Sequence, residues 1–358
     1  MMKNKKTQTL SLISRLQAGA VLLAPLTVRE AVATYKNQGD DGVDARIEAG
    51  IPGQPESFRL AVESKSRSTP EMIRSAIATV KSATMAGEWP MIQVPYLSPE
   101  RLNDLEKAGV SGVDLCGNGV IHIPGRLYIV RTGQPNQYPD SRPLNNPYTG
   151  RSAMVARMLL QSPQWKSLTE LAAAIESAGA KLSLAQVSKA VQAMKEDLIV
   201  VKKSGTISLI DATRLLDQLG ANWKKPTFQS RQAVRIPSGT DWVRALSSDA
   251  SLRWAVTGES SASHYTMFSQ GGPRLLAVSN ATLAETLLNA KHEPVRSFAD
   301  LELIETDAPD FYFGNETDEE GIHWASRLQT WLELQRGDAR QQEAGRDLRI
   351  QILKDVRS

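Results

Sequence analysis

Between Arg151 and Asp211 the hydrophobic period of the chain changes from helical to alternating, and few folds accommodate that order. Leu184, Val187, Val191, Met194 and Leu198 recur at steps of three and four, which is one apolar face of an α-helix. Ser183 with Gln186, and Ser167 with Glu170, have the spacing of capping boxes and predict two helix starts. Gly179, in the link Ala178–Leu182, is placed to end the first of these helices. A further helix begins near Arg151. After Leu198 the pattern becomes Ile199-Val200-Val201-Lys202-Lys203, a Ser204-Gly205 turn and Thr206-Ile207-Ser208-Leu209-Ile210, a small hairpin.

Three helices followed by a hairpin is the layout of a winged helix-turn-helix. A helix that enters the DNA major groove needs one apolar face for its own core and one polar face for base edges and phosphates. Opposite the stripe, the third helix presents Ala185, Gln186, Lys189 and Gln192, beside its capping residue Ser183. Lys181 in the turn, Lys202 and Lys203 in the wing and Arg151 at the first helix are positioned for phosphates. Lys181, Ser183, Gln186, Lys189, Gln192, Lys202, Lys203 and Arg151 are the candidate DNA contacts. The same module used only for dimerisation or protein contact is the competing expectation.

At 358 residues the chain has room for two or three domains. A formal net charge of +3 is too small for a global field, so nucleic-acid contact has to come from local patches. One cysteine, Cys116, excludes an internal disulfide framework and suits a reducing, cytoplasmic setting. His122, His264, His292 and His323 lie far apart with no cysteine spacing to join them, which argues against a zinc centre. The basic Met1–Lys6 and the apolar stretch after it read as an amphipathic helix burying Leu10, Ile13, Leu16 and Ala20, because Arg15 and Gln17 interrupt the run. No stretch is long enough to cross a membrane.

Residues 1–147 mix strands and helices in α/β order, predicting a central sheet flanked by helices. Strands are expected over Val43–Ala49, Phe58–Lys65, Trp89–Pro95, Gly112–Leu115 and Val120–Ile123, with helices over 70–86 and 98–108. Asp44 on one strand, with Glu63 and Lys65 two apart on the next, resembles the PD-(D/E)xK nuclease pattern; Val43 stands where the usual proline would be. Residues two apart on a strand share a face, so Glu63 and Lys65 point together toward Asp44. The resemblance implies a restriction-endonuclease-like α/β domain in which Asp44, Glu63 and Lys65 are catalytic. Asp44 and Glu63, with Glu30 as a further carboxylate, would hold Mg²⁺. Solvated strand charges give the same doublet with no catalysis. Asp114 followed by Gly117-Asn118-Gly119 marks a tight turn, which either cradles a phosphate or simply connects two strands. Residues 131–148 form an irregular linker to the winged helix at 148–218.

Residues 219–358 read as a C-terminal α+β domain, with strands over Leu275–Ser279 and Leu301–Glu305 and a helical stripe through Trp324, Leu328, Trp331 and Leu334. Trp254-Ala-Val-Thr-Gly-Glu-Ser-Ser-Ala, Trp331-Leu-Glu-Leu and the run Gly337-Asp338 to Arg349 resemble the C-terminal half of AbiEi-type antitoxins, the transcriptional regulators of type IV toxin–antitoxin operons. The resemblance implies an operator-binding regulator that uses double-stranded DNA through its winged helix and counters a nucleotidyltransferase-like toxin through this domain. In smaller members the winged helix is N-terminal, whereas here it is central, which leaves the role of residues 1–147 open. Gly258-Glu259-Ser260 mimics a nucleotidyltransferase turn, but no Asp-x-Asp pair follows it, so a binding module is expected and not a transferase. The expectation is a cytoplasmic α/β multidomain regulator with no membrane partner, its oligomeric state open. The alternative is a Mg²⁺-dependent DNA nuclease targeted by the winged helix.

Overall fold

The computed structural model describes residues 16–33, 42–138, 146–269 and 271–356. The expected helix through Leu10 and Ile13 falls outside them. The fold is mixed α/β, and the chain divides into two compact units, residues 1–144 with 196–198 and residues 145–195 with 199–358. No helix among the described residues is long and apolar enough to cross a membrane.

In the first unit β1 (Val21–Leu23), β2 (Leu26–Ala33), β3 (Ala45–Gly50) and β4 (Ser57–Ser64) run as an antiparallel meander. α1 (Pro70–Ala83) carries the chain to β5 (Glu88–Val94) and α2 (Pro99–Lys107) carries it to β6 (Ser111–Asp114), each crossing producing a parallel pair. β7 (Gly119–Ile123) and β8 (Leu127–Arg131) return antiparallel, so eight strands lie in the sheet in chain order. Both helices start on a hydroxyl cap followed by proline: Thr69 Oγ1 accepts from Met72 N–H and Ser98 Oγ from Arg101 N–H, each at 3.4 Å.

The alternation of β4 and β5 sorts side chains onto two cores. Ala61, Ile92 and Val94 meet Ile73, Ala76 and Val80 of α1 and Leu102 and Leu105 of α2. Leu60, Val62 and Met91 face the other way, onto Leu23, Leu26, Ile47 and Ile121. Flanking helices were expected on the sheet, and among the described residues both lie on one face. The other face is closed by curvature, because β1 comes round to β7. A Cβ at Gly119 would lie 3.1 Å from Leu23 Cδ2 and 2.8 Å from the carbonyl oxygen of Gly112, so only glycine allows this approach.

In the second unit a 3₁₀ turn at Gly150–Ser152 opens α3 (Ala153–Gln161). β9 (Gln164–Trp165), α4 (Leu168–Ser177), α5 (Leu184–Glu196), β10 (Val200–Lys203) and β11 (Thr206–Leu209) follow, the three strands ordered β10-β11-β9. α6 (Ala212–Asn222) begins on an Asp211 cap. The remainder builds a seven-stranded sheet from β12 (Ser230–Arg235), β13 (Trp254–Val256), β14 (Arg274–Val278), β15 (Lys291–His292), β16 (Leu301–Glu305), β17 (Glu316–Thr317) and β18 (His323–Trp324), ordered β15-β12-β16-β14-β13-β18-β17. Its helices are α7 (Trp242–Ser247), α8 (Gly258–Tyr265), α9 (Ala281–Leu288), α10 (Arg327–Leu334) and α11 (Ala339–Asp355). Trp324 belongs to β18 and not to the α10 stripe, since Ser326 caps α10 two residues later.

One core joins the two segments of this unit. Leu159, Leu171, Val191, Ile207, Leu215 and Leu219 share it with Trp331, Leu332, Leu348 and Ile352. Gly220 makes the closest approach possible, since a Cβ there would meet the Trp331 ring at 2.6 Å. Arg157 of α3 is 2% exposed, donates to Gln329 Oε1 through Nη2 at 2.8 Å, and has Nε 3.4 Å from Asp310 Oδ1.

Candidate nucleic-acid interface

α5 is the most fully specified helix of its segment. Ser183 Oγ accepts from Gln186 N–H at 3.3 Å while Gln186 Oε1 accepts from Ser183 N–H at 2.8 Å, so the capping box forms. At α4 the box is displaced by one residue: Ser167 Oγ accepts from Glu170 N–H at 3.1 Å, but Glu170 Oε2 accepts from Lys166 N–H at 2.7 Å. Val187, Ala190, Val191 and Met194 are buried, as the three-four spacing requires. Leu184 departs from the expected stripe, at 49% exposed. Leu198, expected on the stripe, lies two residues past the end of α5 in the left-handed region, φ +59°.

Ala185, Lys189 and Gln192 are exposed at i, i+4 and i+7, one face of the helix. Gln186 is exposed too, but its side-chain oxygen is committed to the cap, so paired hydrogen bonding to a base would require it to leave Ser183. Lys181 is exposed in the turn between α4 and α5, and Arg151 in the 3₁₀ turn before α3. Lys202 and Lys203 are exposed on β10, next to a two-residue turn in which Ser204 (φ +48°) and Gly205 (φ +91°) are both left-handed. That turn matches the twist of the hairpin and holds the two lysines at its end.

The carboxylate–lysine cluster of the first unit is partly assembled. Asp44 lies just before β3, its N–H on Val62 O at 2.9 Å and its Oδ2 accepting from Ser64 N–H at 2.8 Å. Glu63 is 1% exposed, and Lys65 Nζ donates to its Oε1 at 2.5 Å. The register puts Ala45 opposite Val62, so Asp44 and Glu63 are neighbours at the ends of β3 and β4. Glu30 is not brought to them. It is exposed on β2 opposite Glu48, four residues along from Asp44, about 13 Å at the rise of a strand. Two carboxylates and a lysine fit a hard divalent cation at the minimum, and no group of three or more acidic, histidine or cysteine side chains suited to a metal occurs among the described residues.

The turn after β6 is spent internally. Asp114 Oδ1 accepts from Cys116 N–H and Asn118 N–H, and Oδ2 from Leu97 N–H and Asn118 Nδ2–H, at 2.8–2.9 Å. Donors that a phosphate would need are held by this carboxylate, so the turn connects strands.

A second buried cluster had no sequence signal beyond a lone arginine in the apolar run Ala153–Gln161. Gln329 accepts from Arg157 and donates through Nε2 to Glu333 Oε1 at 2.7 Å. Thr257 Oγ1 and Gly258 N–H also donate to Glu333, at 2.8 and 2.6 Å to Oε2. Burial pushes the Glu333 carboxyl above its usual range, against these donors and the Arg157 charge. The chain of contacts ties α3 to the first turn of α8 and is structural in geometry.

No protein-family model matches this chain, and no curated protein matches it either.

Proposed function

We propose that the chain is a DNA-binding transcriptional regulator whose reading head is a winged helix formed by residues 150–209. The observation that carries this is the order helix, strand, helix, helix, strand, strand, with the sheet arranged β9-β11-β10 and an exposed Ala185/Lys189/Gln192 face on the helix that would enter the groove. Lys202 and Lys203 of the wing, Lys181 and Arg151 supply phosphate contacts. A gel-shift against DNA upstream of the chain's own gene tests it. Lys189→Ala with Gln192→Ala is expected to weaken binding by about 1–3 kcal/mol. Lys203→Ala should lower the slope of log K against log salt by about 1 while leaving sequence preference unchanged. Unchanged binding by the double variant would exclude α5 as the reading helix.

The resemblance to AbiEi-type antitoxins extends this proposal to a protein partner, a nucleotidyltransferase-like toxin held by residues 219–358. Co-purification with the product of an adjacent nucleotidyltransferase-like reading frame is the direct check.

A second reading has its own observation, the buried Glu63 beside Lys65 with Asp44 just before the neighbouring strand and bonded to Val62 and Ser64. Within a restriction-endonuclease-like domain, Asp44 and Glu63 would hold a divalent cation and Lys65 would orient the attacking water. The cation would supply charge stabilisation at the phosphate. Incubating duplex DNA with the protein and Mg²⁺ or Mn²⁺ is expected to give cleavage that falls at least about a hundredfold in Glu63→Ala. Cleavage that survives the substitution would assign the activity elsewhere.

A further inference from the structure

We propose that the first turn of α5 reads thymine methyl groups through Leu184, so that the bound site carries T at that position; the inference rests on the winged-helix reading above. Leu184 has the periodicity of a core residue and none of the burial. Val187, Ala190, Val191 and Met194 are 0–4% exposed, whereas Leu184 is 49% exposed. Its neighbour Ala185 is also exposed, so the helix begins with two apolar residues facing solvent.

The first turn of a helix ordinarily favours acidic or polar side chains, which complement the dipole and the free N–H groups. The first turn of α5 carries no acid, in contrast to Glu170 in α4 of the same segment. An acid there would repel phosphates, and a branched aliphatic side chain there gains nothing from water. In helix-turn-helix docking the N-terminal residues of the second helix are the ones that reach base edges. The thymine C5-methyl is the one apolar group among the major-groove edges of the four bases, and aliphatic side chains pair with it. By helical periodicity Leu184 stands at the margin between the buried stripe and the exposed Ala185/Lys189/Gln192 face, next to the capping Ser183.

The test starts with selection from a random duplex pool by the full-length protein, so that no operator has to be known. The selected duplex is then made with thymine or with uracil throughout. Uracil keeps the pairing and the O4 acceptor and lacks only the methyl. Wild-type protein is expected to bind the uracil duplex more weakly, by about fourfold for each methyl contacted. Leu184→Ala, at an exposed position where the fold should be retained, is expected to bind both duplexes with equal affinity, which separates a local contact from a general change in DNA shape. Circular dichroism confirms that the variant melts like wild type. Equal binding of the two duplexes by wild type, or discrimination that persists in Leu184→Ala, overturns the inference and leaves the DNA-binding reading in place. Failure to enrich any duplex overturns both.

Discussion

Arg157→Ala is expected to destabilise the second unit by about 3–5 kcal/mol, the scale for removing one partner of a buried ion pair. Arg157 is buried in α3, yet its partners, Gln329 and Asp310, come from the C-terminal segment. Desolvation pushes the guanidinium below its ordinary range, with Asp310 and Glu333 opposing that shift. Its Nε and Nη1 have no hydrogen-bond acceptor among the described residues, so the charge is only partly compensated. Alanine removes both the charge and the volume, leaving a cavity in the wall between the two segments. Methionine keeps most of the volume and removes the poorly satisfied charge. Asp310 is 23% exposed and can turn to water, so Arg157→Met is expected to cost less than half as much. Tryptophan emission during urea unfolding reads this unit, because Trp165, Trp223, Trp242, Trp254, Trp324 and Trp331 lie in it and only Trp89 lies in the other. An Arg157→Ala midpoint within error of wild type would remove the network from any role in joining the segments. Since one core holds β11 and α3–α6 together with α10 and α11, those elements should lose structure in a single transition.

Local chemistry made much of residues 150–211 legible. Capping at Ser183, the Val187/Val191/Met194 stripe and the Ser204-Gly205 turn are short-range patterns, and each forms where spacing places it. The strand that follows Asp44 and the one that bears Glu63 were readable for the same reason, period-two alternation bounded by turns. What escaped depends on distant partners. Glu30 has the right residue type on a strand paired with β3, but register, which no local pattern encodes, sets it opposite Glu48. Arg157 and Gln329 are separated by 172 positions, so the sequence shows only an arginine out of place. Leu184 fits the stripe by spacing, and only the extent of the core beneath it decides that it faces outward. β8 has a half-exposed pattern with little apolar contrast, and only its last residue, Arg131, falls in the stretch that reads as linker.

Asp114→Ala is expected to cost the first unit about 3 kcal/mol or more, because it strands several donors at once. The carboxylate is 7% exposed and accepts from Leu97, Cys116 and both donors of Asn118. Asn118 in turn accepts Gln134 N–H through Oδ1 at 2.8 Å and donates to Gln134 O at 3.2 Å. One side chain therefore fastens the end of β6, the loop entering α2 and the segment that follows β8. A buried donor left without an acceptor costs about 1–3 kcal/mol, and removing Asp114 takes the acceptor from Leu97 N–H, Asn118 N–H and Cys116 N–H while Asn118 Nδ2 keeps Gln134 O. Asn in place of Asp retains one acceptor oxygen but turns an NH₂ toward two of the donors, so Asp114→Asn should recover less than half of the loss. Far-UV circular dichroism in urea, with tryptophan emission as the control for the second unit, measures both variants. The comparison also decides what the turn is for. If its N–H groups serve the fold, Asp114→Ala lowers the first unit's midpoint while DNA affinity per folded molecule is unchanged. An anion cradle would behave in the opposite way, gaining affinity for phosphate as the competing carboxylate is removed.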